Sequence, residues 1–68
     1  MTPARFSECL DQIGWSRRYL ATLLDCDHNL PARWATGQAP VPRAVAAWLE
    51  RLARCHARAP VPVGWRVR

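Results

Sequence analysis

The chemistry available to this chain is dominated by one side chain. All ten of its basic residues are arginine, against five acids, for a net charge of +5 and a pI near 10.5. A guanidinium makes planar, multidentate contacts to phosphate, carboxylate and base edges, so the composition points to an anionic partner: nucleic acid, an acidic membrane or an acidic protein. GC-rich coding also favours arginine and alanine. The other reactive side chains are fewer. Cys26-Asp27-His28 and Cys55-His56 supply four possible zinc ligands, but structural zinc sites pair cysteines two to four residues apart and this spacing does not. Cys55 and His56 are sequence neighbours, and adjacent helical residues do not face each other. With no paired carboxylates in a plausible cleft and no glycine-rich phosphate loop, the expectation is a protein that is not an enzyme and carries no cofactor or metal.

The elements that position these groups follow from length and patterning. Sixty-eight residues allow one small domain, which buries only roughly 60% of its unfolded surface. No apolar run approaches the roughly 20 residues of a membrane span. Acid is met at Glu8 with no apolar run before it, unlike a signal peptide, and three widely spaced cysteines are no disulfide framework. A cytoplasmic, nucleoid-associated protein with reduced thiols is expected, with no membrane role and no small-molecule effector.

Four helices are predicted, making an all-α domain over residues 1–57. The first is about Pro3 to Ile13, capped by Thr2 with Pro3 at the first position and stopped by Gly14. Phe6, Leu10 and Ile13 share its inner face. The second is about Arg17 to Leu24, capped by Ser16, with Trp15 and Leu20 at the spacing of a hydrophobic staple and Leu20, Leu23 and Leu24 facing inward. After Asp25-Cys26, Asp27 caps a third helix, about His28 to Thr36, ended by Gly37. Pro31 lies in its first turn, where a missing N–H costs least. Leu30 and Trp34 form its inner face, leaving His28, Asn29, Ala32, Arg33 and Thr36 outside. Pro42 opens a fourth helix to about Ala57, with Val45, Trp48, Leu49 and Leu52 as its apolar stripe. Arg51 and Arg54 are read as solvating its outer face. Residues 58–68 form an extended or disordered tail. Val61, Val63, Trp65 and Val67 alternate at strand period, which makes them candidates for a dimerisation arm.

Two short helices joined by so tight a turn make a helix-turn-helix unit over about residues 16–37. In Ser16-Arg17-Arg18-Tyr19-Leu20-Ala21-Thr22-Leu23-Leu24, then Asp27, then Arg33-Trp34-Ala35-Thr36-Gly37, then Pro42, the chain resembles the Cro and lambda-repressor-like helix-turn-helix proteins, the XRE family. The resemblance covers roughly residues 4–57. Asp25 stands where the family usually has glycine in the turn, and Pro31 where it usually has a branched aliphatic core residue.

The resemblance implies a compact four-helix domain that binds double-stranded DNA with the third helix in the major groove. By position it assigns base reading to His28, Asn29, Ala32 and Arg33, and DNA-backbone contacts to Arg17, Arg18, Thr36 and Arg43. Arginine can hydrogen-bond guanine twice and asparagine adenine twice. A domain this small is expected to act as a homodimer on an inverted repeat, as a small transcriptional repressor. The alternative is a protein-interaction module, an antitoxin or phage accessory or adaptor protein, on the same scaffold.

Overall fold

A computed structural model describes residues 1–59 and 61–64. Four helices follow in order: α1 (Pro3–Ile13), α2 (Arg17–Leu24), α3 (Asn29–Thr36) and α4 (Arg43–Arg58). There is no strand among the described residues, and no described helix is long and apolar enough to cross a membrane.

Both ends of α1 and α2, and the C-terminal end of α3, are set by a local signal. Thr2 accepts a hydrogen bond from the Arg5 N–H at 3.1 Å, and Ser16 accepts one from the Tyr19 N–H at 3.0 Å. Each satisfies a donor that the first helical turn leaves without a partner. Gly14 and Gly37 end α1 and α3 in the left-handed conformation, at φ 84° and 83°. Asp25 ends α2 in the same region at φ 53° and is the one non-glycine described there. Its N–H and that of Cys26 bond back to the Thr22 and Ala21 carbonyls at 3.2 and 3.1 Å.

Helix α3 starts one residue later than its sequence suggests. Asp27 still caps it, accepting from the Asn29 N–H at 2.8 Å through Oδ1, and its carbonyl accepts from Leu30 at 3.0 Å. At the far end, Pro42 precedes α4 with ψ 144° instead of joining it, and the helix runs to Arg58.

The core sits on α1. Phe6, Cys9 and Leu10 are buried together with Leu20, Trp34, Leu49 and Ala53, and Ile13, Trp15, Leu24, Leu30, Val45 and Trp48 pack around them. The Phe6 ring meets Trp34 edge-on at 5.7 Å between centroids. Aromatic pairs prefer such an arrangement because a positive ring edge meets a negative ring face. Trp15 lies against Tyr19 at 5.4 Å and Trp48 at 5.6 Å, so the expected staple is broadened into an aromatic cluster that ties the α1–α2 connection to α4. Pro31 is fully buried. It fills the position of an aliphatic core residue and costs no hydrogen bond in the first turn.

Two expectations are corrected. Leu23 does not face inward; it is 46% exposed, one turn from Tyr19 at 48%, because eight residues give α2 only one inner stripe, which Leu20, Ala21 and Leu24 take. The strand expected from Val61 is absent over the described residues: Val63-Gly64 form a turn, and Val61 and Val63 are exposed. Gly64 has φ 74°, which breaks the extended backbone that strand alternation requires. Trp65 and Val67 lie outside the described residues.

The left-handed caps give two substitutions of opposite sign. Asp25→Gly should raise stability by up to about 1 kcal/mol, since the left-handed region costs a non-glycine residue roughly 1–2 kcal/mol and glycine gives part of that back in chain entropy. Gly37→Ala should lower it by more than about 1 kcal/mol, as its new Cβ would lie 3.3 Å from Pro3 Cγ. Urea unfolding followed by circular dichroism measures both. A stabilised Gly37→Ala would contradict the strained geometry.

Candidate nucleic-acid interface

Two turns of helix sort the residues of α3 into two faces. At about 100° per residue, Asn29, Ala32, Arg33 and Thr36 fall within an arc of about 100°, and His28 borders it. Pro31 and Trp34 fall on the other side and are buried, with Leu30 and Ala35 half-buried beside them. Burial of Trp34 against Phe6 thus fixes which side of α3 faces out. His28, Asn29, Arg33 and Thr36 are exposed and Ala32 is half-buried. All five share one accessible surface.

The side chains on this surface are not equivalent. Those of His28, Asn29 and Arg33 make no hydrogen bond to another described residue, which leaves their donors and acceptors available. The Thr36 hydroxyl donates to the carbonyls of Ala32 at 3.2 Å and Arg33 at 3.3 Å. Its single proton is committed to its own helix, so it could serve a phosphate only after rotating away.

The other expected backbone residues lie on α2 and α4. Arg17 and Arg18 occupy the first turn of α2, and Arg43 opens α4; all three are exposed. Arg17 also borders a cleft of about 320 Å³ with Ser7, Leu10, Asp11, Trp15 and Ser16. Asp11 places a carboxylate in that cleft. Two further carboxylates, Asp25 and Asp27, lie exposed beside α3, so residues 16–37 carry Arg17, Arg18 and Arg33 against two aspartates.

The α1–α4 contact holds an ion cluster that spacing alone does not reveal, because its members are 41 and 45 residues apart. Arg5 Nε donates to Glu50 Oε1 at 2.7 Å, the Cys9 thiol donates to the same oxygen at 3.2 Å, and Arg5 also pairs with Glu8. The Arg5 hydrogen bond, then that of Cys9, holds the Glu50 carboxyl below its usual range. Burial, followed by the bond to Glu50, pushes the Cys9 thiol up to about 11. Cys26 is half-buried and Cys55 exposed, and no disulfide joins the three cysteines. Among the described residues, no group of three or more His, Cys, Asp or Glu side chains is placed to hold a metal ion.

With these positions set, the molecule is a small all-α domain of four helices carrying a polar, partly basic face on its shortest helices. Comparison with protein-family models, with curated proteins and with solved structures finds no match.

The cluster predicts two behaviours. A carboxyl held below its ordinary value of 4.5 contributes stability above that pH, and the contribution is lost as pH falls through the lowered value. The urea midpoint should therefore drop as the protein is acidified from pH 5 to pH 3, and drop less in Glu50→Gln. Equal acid sensitivity in both proteins would remove Glu50 from the account. At pH 8 iodoacetamide should alkylate Cys55 readily and Cys9 only on unfolding, since the thiolate is the reactive form; peptide mass spectrometry reads both sites.

Proposed function

We propose that this protein is a sequence-specific reader of double-stranded DNA, a Cro- and lambda-repressor-like helix-turn-helix domain acting as a small transcriptional repressor. The observation that carries this reading is the outer face of α3, where His28, Asn29 and Arg33 stand clear of other side chains while Pro31 and Trp34 anchor the helix from behind. Helix α3 then lies in the major groove with its N-terminal residues at base edges. Arg33 offers two donors to guanine, Asn29 a donor and an acceptor to adenine, and Ala32 a methyl contact to thymine. The backbone contacts come from Arg17, with Arg18 beside it, and from Arg43 at the start of α4.

Such a module covers only about 600–1,000 Å² on DNA. A homodimer on an inverted repeat, with half-sites about 34 Å apart, supplies the missing contact area. The tail from residue 58 is the segment left for that contact, and Val61 and Val63 are exposed there. Occupancy of an operator overlapping a promoter would then follow protein concentration.

A second reading is favoured by one feature. Tyr19 and Leu23 expose apolar surface one turn apart on α2, as a protein-interaction module on this scaffold would require.

Selection from a randomised duplex library separates the readings. An inverted-repeat winner whose affinity falls steeply with salt supports the DNA reader; no enrichment supports the interaction module. On the winner, Arg33→Ala should cost about 1–3 kcal/mol and relax one base position, whereas Arg17→Ala should weaken all sequences alike and lower the salt slope by about one. Equal loss on selected and random DNA for Arg33→Ala would count against its reading role. Light scattering at tens of micromolar tests the dimer.

A further inference from the structure

The largest number of arginines on any described helix is on α4, not on the α3 face. Helix α4 carries Arg43, Arg51, Arg54 and Arg58, all exposed. At about 100° per residue these four and Ala47 fall within an arc of about 80°. Val45, Leu49 and Ala53, which face the core, lie on the opposite side of the helix. The stripe runs the length of α4, about 22 Å at 1.5 Å per residue. The single acid of α4, Glu50, flanks it; its carboxylate bonds to Cys9 and to Arg5, which also pairs with Glu8, and it attracts Arg54. No arginine of the stripe forms an ion pair among the described residues, where both ion pairs belong to Arg5. Like charges three and four residues apart, as in Arg51, Arg54 and Arg58, work against a helix, and an anionic ligand would relieve this.

The composition of the stripe selects its occupant. Protein interfaces combine arginine with buried aromatic or large apolar anchors, and beside its arginines this arc offers only Ala47. A helix that lies on a membrane needs a free apolar face, and that of α4 is spent on the core. Phosphate needs only guanidinium donors, which match it in pairs. A duplex supplies one charge per about 1.7 Å of its axis, more than enough to engage every arginine of the stripe.

We propose that the outer face of α4, through Arg51, Arg54 and Arg58, is a sequence-blind binding surface for the phosphate backbone of duplex DNA, separate from the α3 face. It adds a second DNA surface to the function proposed above, but it does not require α3 to read sequence.

The test measures affinity for a random-sequence 20-base-pair duplex between 50 and 200 mM salt, for the natural protein, for R51Q/R54Q/R58Q and for Arg33→Ala. Losing three phosphate contacts should flatten the slope of log affinity against log salt by about 2 to 3. Affinity at the lower salt should fall at least tenfold, with the helical circular dichroism signal retained. Arg33→Ala should change the slope by no more than about one. If the triple variant loses its helix content, the three single substitutions carry the test, each expected to flatten the slope by about one. An unchanged slope in folded variants overturns the proposal, as does failure of the natural protein to bind random duplex. Poly-glutamate displacing the duplex at equal charge concentration overturns it too, because the surface would then take any polyanion. Failure to select a preferred sequence, with the slope change intact, would sink the reading role of α3 and leave this surface standing.

Discussion

The edge of Phe6 against Trp34 is the contact on which the rest of the structure depends. Helix α3 has eight residues, below the length at which an isolated helix holds together in water, so it exists through what it buries. Trp34 is its largest anchor, and the surface that receives it belongs to α1. The same helix meets α4 through Cys9 and Arg5. Helix α1 is therefore the wedge against which both basic surfaces are oriented. A domain of this size has only about 3–10 kcal/mol of net stability, and truncating a buried aromatic ring costs about 3–5. The geometry of the α3 face and the existence of the fold are thus nearly one constraint.

The second constraint is where the chain reverses. Asp25 and Gly37 bracket α3, and both sit in the left-handed region. Glycine reaches it freely, whereas aspartate tolerates it better than most side chains. Between Asp25 and α3 only three residues remain, and Asp27 spends its carboxylate on the Asn29 N–H. The connection is held by hydrogen bonds to its own backbone and little else, which suits a segment whose outer surface stays exposed.

Much of this was legible in the sequence because the signals were local. Thr2, Ser16 and Asp27 as caps, and Gly14 and Gly37 as stops, act within a single turn of their helices, and the structure places them there. The bounds of α1 and α2 follow, and the inner and outer faces of α3 come from the period of the helix and the size of Trp34. The failures were of two kinds. Leu23 was assigned inward on hydrophobicity, but a two-turn helix has room for one inner stripe. The Val61–Val67 alternation was read as strand period; among the described residues Val63-Gly64 form a turn instead, with Gly64 at φ 74°. The Arg5–Glu50–Cys9 cluster was not legible, since its members meet only once α1 and α4 pack. The arginine stripe on α4 was visible residue by residue, and Arg51 and Arg54, read as solvated charges, are exposed; the bonding of Glu50 to Arg5 and Cys9 was not visible.

That bonding bears on how charge is divided over the surface. Asp25 takes the left-handed turn position, which glycine would take at lower cost, and Asp27 caps α3, so two negative charges lie beside the proposed reading face. Each would oppose an approaching phosphate over a range of about 8 Å at physiological salt, and Arg17, Arg18 and Arg33 do little more than offset them. A reader built this way gains shape and hydrogen-bonding discrimination from α3 but little long-range attraction. On α4 the balance differs: its one carboxylate is held by Arg5 and Cys9 from α1 and also attracts Arg54, and its four arginines form no ion pair among the described residues. The attraction that the turn chemistry removes from one face is thus present on another, where no cap or turn places an acid. Selectivity and affinity for a polyanion can then reside on different helices of a single small domain.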